Sequence, residues 1–276
     1  MHSILPVVRR SRFHVRKPLR PRLVEREVIV PGLDPAHDGV RIAHLTDLHV
    51  GMLTPARKIL RAVELAQAAR PDLLFMTGDF VCYSPKFVGR LAELTRGIGI
   101  PTYCVLGNHD YWTDGAGVRR ALERNGMAVL RNGHSEIQLK HAPLTVVGID
   151  DVITGHADVK RAYTGVRKHG SRVVLTHAPN MADRAAEYGQ GLILAGHTHG
   201  GHVKIGSLTE KIAARFGNRY LAGFYEVKDA LLYVNCGIGS SSVPIRAGAP
   251  SECAVFTLRA PAEERARHHH RDKHHR

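Results

Sequence analysis

Three times in the first half of the chain, a short apolar run ends in a polar cluster and is followed by a segment of helical periodicity. Val40-Arg41-Ile42-Ala43-His44-Leu45-Thr46 leads into Asp47-Leu48-His49. Residues 72–77 lead into Gly78-Asp79, and residues 101–106 into Gly107-Asn108-His109-Asp110. Between them, residues 55–70 place Ile59, Leu60, Val63 and Ala66 on one helical face, opened by Pro55 and stopped by Pro71. Residues 85–96 and 114–125 read as the second and third helices, with Asn125-Gly126 closing the last. Successive strand–helix units imply parallel strands with helices on their faces. Ligands of such sheets bind outside the carboxyl ends of the strands, where all three clusters fall.

The remainder of the chain predicts shorter elements. An edge strand is expected over residues 24–30, ending at Pro31-Gly32. Strands are expected over 127–130, 135–140 and 144–149, and helices over 158–169 and 179–188. A strand over 172–176 delivers His177, and a buried strand over 191–195 delivers Gly196-His197-Thr198-His199-Gly200-Gly201. Late strands fall at 231–235 and 252–258. No repeat or linker divides residues 23–259, which read as one domain between a basic arm (1–22) and a His/Arg-rich tail (260–276).

Composition excludes several classes. No stretch approaches the ~18 apolar residues of a membrane span. Four scattered cysteines (Cys82, Cys104, Cys236, Cys253) make neither a disulfide framework nor a zinc ribbon and fit a reducing compartment. Residues 1–30 hold eight Lys/Arg against two Glu, and residues 259–276 hold six against three acids, leaving +5 of the net +14 for the rest. The charge therefore belongs largely to the ends. Arg9-Arg10 lacks the apolar stretch that an export signal needs, so a cytoplasmic protein is expected. The arm reads either as simply solvated or as a peripheral contact with anionic lipid at the inner membrane. No basic stripe interleaved with aromatics is present, so no specific nucleic-acid partner is expected.

The polar groups at strand ends are Asp47, His49, Asp79, Asn108, His109, His177, His197 and His199. Carboxylate oxygen, amide oxygen and imidazole nitrogen together suit a borderline divalent ion such as Mn, Fe, Zn or Ni. The set exceeds what one tetrahedral ion needs. Two ions about 3.5–4 Å apart, sharing one carboxylate, would use it in full and would clamp the oxygens of a phosphoryl group.

Asp47-x-His49, Gly78-Asp79, Gly107-Asn108-His109-Asp110, Thr176-His177 and Gly196-His197-Thr198-His199 resemble, in order, the five signature blocks of the calcineurin-like metallophosphoesterases. The resemblance covers residues 40–259. It implies a four-layer α/β (α+β) sandwich, αββα, of two mixed sheets flanked by helices. It also implies dimetal-dependent hydrolysis of phosphoesters, as a phosphodiesterase or diphosphatase, with a bridging hydroxide as nucleophile. By the same resemblance, Asp47, His49, Asp79 and His199 would hold one metal, and Asp79, Asn108, His177 and His197 the other, with Mn favoured. His109 would contact a phosphoryl oxygen or protonate the leaving group, and Asp110 would orient His109.

A narrower similarity, carried by Gly196–Gly201, Asn235-Cys236-Gly237-Ile238-Gly239 and residues 244–252, is to the small bacterial phosphodiesterases. Some of these act on lipid- or nucleotide-linked diphosphates, including the lipid A precursor UDP-2,3-diacylglucosamine. This chain has His202 where that branch usually has Gln. His202 and Arg246 are weak candidates for substrate contact. Asp150-Asp151 reads as a loop pair, and His44, inside a strand, as a packed histidine rather than a ligand. The reading from another class is a non-catalytic basic binding module on the same fold.

Overall fold

The apolar runs are strands buried on both faces, as parallel strands covered by helices must be. The computed structural model describes residues 20–201, 219–240 and 249–262. The first-half strands are β1 (Arg22–Ile29), β2 (Arg41–Leu45), β3 (Leu73–Thr77), β4 (Thr102–Val105) and β5 (Ala128–Val129). Then come β6 (Gly133–Leu139), β7 (Ala142–Gly148), β8 (Arg172–Leu175), β9 (Gly191–Ala195), β10 (Gly223–Val227), β11 (Ala230–Val234) and β12 (Glu252–Arg259). Among the described residues they make two six-stranded sheets, ordered β1-β12-β2-β3-β4-β5 and β10-β11-β9-β8-β7-β6.

In the first sheet β2, β3, β4 and β5 run parallel, and β12 inserts antiparallel beside β2. In the second, β7, β8, β9 and β11 run parallel, with β6 and β10 antiparallel at its edges. Ile42, Phe75, Val105, Val146, Leu175, Leu194 and Phe256 fill the space between the sheets. Helices α1 (Ala56–Ala68), α2 (Val88–Thr95) and α3 (Asn108–Arg124) cover the outer face of the first sheet. The short α4 (Val159–Ala162) and α5 (Ala182–Ala185) cover the second. The αββα layering is the expected one.

Several boundaries differ for local reasons. Leu60 leaves the buried face of α1, which Ala62 completes. Helix α3 starts at Asn108, not at 114, because Asp110 caps its first turn and a non-helical Asp114 lies inside it. Of the helix expected over 158–169, only Val159–Ala162 forms, capped by Asp158 and followed by Gly165 at φ +86°. The segment 179–188 breaks into α5 between two 3-10 turns. Strand β10 was not expected; it pairs with β11 through Gly223–Val227. No helix among the described residues is long and apolar enough to cross a membrane. The four cysteines are buried and form no disulfide.

Candidate metal centre

The carboxyl ends of β2, β3 and β4 meet those of β8 and β9, so five sequence blocks converge on one place. The backbone there is bent in an unusual way. Asp47, His49, Asp79, His197 and His199 all have positive φ, between 44° and 70°. Left-handed backbone costs a non-glycine residue about 1–3 kcal/mol and persists where surrounding structure over-determines it. Here it accompanies strand-to-loop corners whose ligand atoms come within 4.8 Å of one another. Glycine admits the close approach. A Cβ on Gly196 would run into Thr46 Oγ1 and Asp47 Oδ2, and one on Gly107 into the Asp79 carboxylate and backbone.

Three overlapping groups of possible ligand atoms result among the described residues: Asp47, His49 and His199; Asp79, His177 and His197; and His49, Asp79 and His109. Asp79 joins the first two, because its Oδ2 lies 3.3 Å from His177 Nε2 and 3.5 Å from His49 Nε2. Asp47 Oδ1 lies 3.4 Å from His199 Nε2 and 3.7 Å from His49 Nε2. The other oxygen of each carboxylate is occupied: Asp47 Oδ2 accepts from His197 N and Thr46 Oγ1, and Asp79 Oδ1 from His109 N. His109 also falls within reach of His49 and Asp79.

The donor set fits a cation. His49 Nε2 faces His199 Nε2 at 3.1 Å, and His197 Nδ1 faces His177 Nε2 at 3.2 Å. Two imidazole lone pairs at that distance repel unless a proton or a metal lies between them. His177 Nδ1–H donates to the Thr77 carbonyl at 2.8 Å, so in the neutral ring Nε2 keeps its lone pair toward the site. Asp47 Oδ1 and Asn108 Oδ1 are buried without a hydrogen-bond partner. Buried polar atoms are ordinarily satisfied, so orphans gathered at one site point to an ion.

Electrostatics agree. Burial alone would raise the Asp47 and Asp79 carboxyls, but His199 beside Asp47 and His177 beside Asp79 hold both well below the usual range. Burial would lower His177, yet Asp79 outweighs it and carries the imidazole up to about 10. His197 goes the other way, lowered by burial and then by His177. Positive charge is therefore wanted between the carboxylates, and protons supply it when no metal does.

The other expected residues divide. The half-buried His109 ring lies edge-on to His49, with centroids 4.9 Å apart, and makes no hydrogen bond among the described residues. Asp110 was expected to orient that ring, and its contacts differ. Its oxygens accept from Gly107 N and Val81 N, so it shapes the loop that carries His109. Burial, reinforced by Asp79, pushes the Asp110 carboxyl up to about 8. His44 is packed as expected; it meets Thr77 Oγ1 at 2.9 Å, and burial lowers it to about 3. His202 and Arg246 lie outside the described residues.

Asp150 and Asp151 lie in the loop after β7, as expected. Both are buried; Asp150 takes the Tyr111 hydroxyl at 2.6 Å and Arg131 Nε at 3.0 Å, and the Asp151 charge reaches His197. Their place at the carboxyl end of β7, a strand of the same parallel set, was the signal available in the sequence. The segment Asn235–Gly239 backs the site: Gly239 N donates to the Asp47 carbonyl and Ile238 N to that of Thr46.

A profile of the family described as calcineurin-like phosphoesterase matches residues 40–201. The uncharacterized metallophosphoesterase YkuE of Bacillus subtilis is 28% identical, over 88% of this chain and 88% of its own. The phosphodiesterase YaeI of Escherichia coli is 28% identical, over 72% of this chain and 75% of its own. The UDP-2,3-diacylglucosamine pyrophosphatase LpxG of Chlamydia muridarum is 23% identical, over 79% of this chain and 83% of its own.

Proposed function

Because this chain belongs to the calcineurin-like phosphoesterase family and is a metal-dependent phosphoester hydrolase, we propose which of its residues hold the metals and what it cleaves. Asp47, His49, Asp79 and His199 hold one divalent ion; Asp79, Asn108, His177 and His197 hold the second. The observation that carries this is the sharing of Asp79 Oδ2 between His49 and His177. Mn is favoured over thiolate-seeking ions, because the set is oxygen and imidazole without cysteine sulfur. Bound there, such ions lower the pKa of water and neutralise charge on phosphoryl oxygens.

The chain's own groups do the remainder. Asp79, fixed through Oδ1 by His109 N, keeps the two halves in register. Thr77 holds the His177 tautomer through its carbonyl. His109, whose ring makes no hydrogen bond among the described residues, meets the phosphoryl group or protonates the leaving oxygen.

The substrate is a phosphodiester or a diphosphate, a reading supported by the names of YaeI and LpxG. A lipid- or nucleotide-linked diphosphate, such as UDP-2,3-diacylglucosamine itself, is the narrower form. The eight Lys/Arg among residues 1–30 support a cytoplasmic enzyme touching anionic lipid peripherally, which sedimentation with anionic vesicles tests. The decisive assay uses metal-stripped protein resupplied with Mn on bis(p-nitrophenyl) phosphate and p-nitrophenyl phosphate. Diester cleavage that needs Mn and is lost in His109→Ala and Asp79→Asn supports the assignment. A protein that binds no metal through these residues overturns it and leaves the basic binding module as the reading.

A further inference from the structure

Trp112 is the single tryptophan of the chain and is 63% exposed. Its indole meets the His109 ring edge-on, with centroids 5.1 Å apart and planes at 72°. On its other side His109 meets His49, which belongs to the candidate metal centre. The order is therefore metal-site histidine, His109, exposed indole. The turn that carries Trp112 is held in place. Asp110 ties its start to Gly107 and Val81, and Asp114 caps the rest of α3 by accepting from Gly117 N at 2.9 Å.

An exposed apolar side chain alone means little. Its distribution here does not look accidental. Among the described residues ten large hydrophobics are exposed, and five of them, Met52, Leu53, Tyr83, Trp112 and Ile153, follow β2, β3, β4 and β7. Met52, Leu53, Tyr83 and Ile153 lie in loops and Trp112 in the first turns of α3; β2, β3 and β4 deliver site residues, and β7 delivers Asp150 and Asp151 beside them. A surface that is charged and buried at its centre and apolar in its surrounding loops is complementary to an anion with an apolar substituent.

We propose that Trp112 is a specificity residue that packs an apolar or aromatic ester substituent of the substrate while the phosphoryl group sits by His109. This rests on the assignment of His109 to the phosphoryl group. Small alkyl esters and inorganic phosphate leave the indole in water.

The sole tryptophan makes the test direct. Mn-loaded protein is titrated with phenylphosphonate and with methylphosphonate, neither of which can be hydrolysed at its P–C bond, and indole emission is followed. Phenylphosphonate should change the emission, and methylphosphonate should not. As competitive inhibitors of diester cleavage, the two should differ in Ki, and Trp112→Ala should cut that ratio about tenfold, from the size expected of one aromatic contact. Trp112→Phe should restore most of it. Equal emission responses to both phosphonates, or a ratio unchanged in Trp112→Ala, overturns the proposal and leaves the metal assignment standing. If neither phosphonate binds wild-type protein, the reading of the site fails and this inference with it.

Discussion

His177 Nδ1 lies 2.8 Å from the carbonyl oxygen of Thr77, a hydrogen bond from the end of one sheet to the end of the other. It fixes the imidazole so that Nε2 faces Asp79. His177→Ala removes the donor and a residue assigned to the second ion. Bound metal should fall from about two ions per chain to about one, and hydrolysis by at least about 100-fold. Elemental analysis of the purified variant and the diester assay check both.

Gly196→Ala tests the close approach behind the site. The added methyl meets Thr46 Oγ1 and Asp47 Oδ2, neither of which can retreat without breaking the bond between them. Overpacking of this kind costs about 1–3 kcal/mol. A lowered denaturation midpoint with an unchanged m-value, together with weaker metal binding, is the expected result in urea melts and calorimetric titration.

Removal of the metals should destabilise the fold. Two buried carboxylates and four imidazoles at the site are left to balance charge with protons alone. A ligand at 100 times its Kd that binds only the folded state adds about 2.7 kcal/mol. Melting temperature should therefore rise with Mn concentration in chelator-treated wild type and stay flat in Asp79→Asn.

Backbone strain away from the site is expected to behave differently. Arg70 follows α1 at φ 49°, the left-handed position that glycine favours after a helix. Arg70→Gly should stabilise the protein by about 0.5–1 kcal/mol without changing hydrolysis. Chemical denaturation and the diester assay check the two halves of that statement.

The parallel core and the five motif blocks were legible because each rests on neighbouring residues. A run such as Leu73–Thr77 is apolar up to its last residue and buried throughout, as a strand covered on both faces must be. Segment 158–169 misled because its helical composition is cut by Gly165, whose positive φ no periodicity reveals. An acid after Asn-His suits a ring partner as well as a cap, and the bonds of Asp110 to Val81 N and Gly107 N depend on placements that no local pattern reveals. The partners of Asp150, Tyr111 and Arg131, are 39 and 19 residues away, so only the fold reveals them.

Local order in the chain thus determined the strands, their polar ends, the family and the class of reaction, since periodicity and motif spacing are properties of adjacent residues. The tertiary structure alone decided which imidazoles face each other and that Trp112 stands against His109. His49 and His199 are 150 positions apart, yet their Nε2 atoms lie 3.1 Å apart. That distance is set by the packing of two sheets and by backbone forced into the left-handed region. Neither is written in any short stretch of sequence.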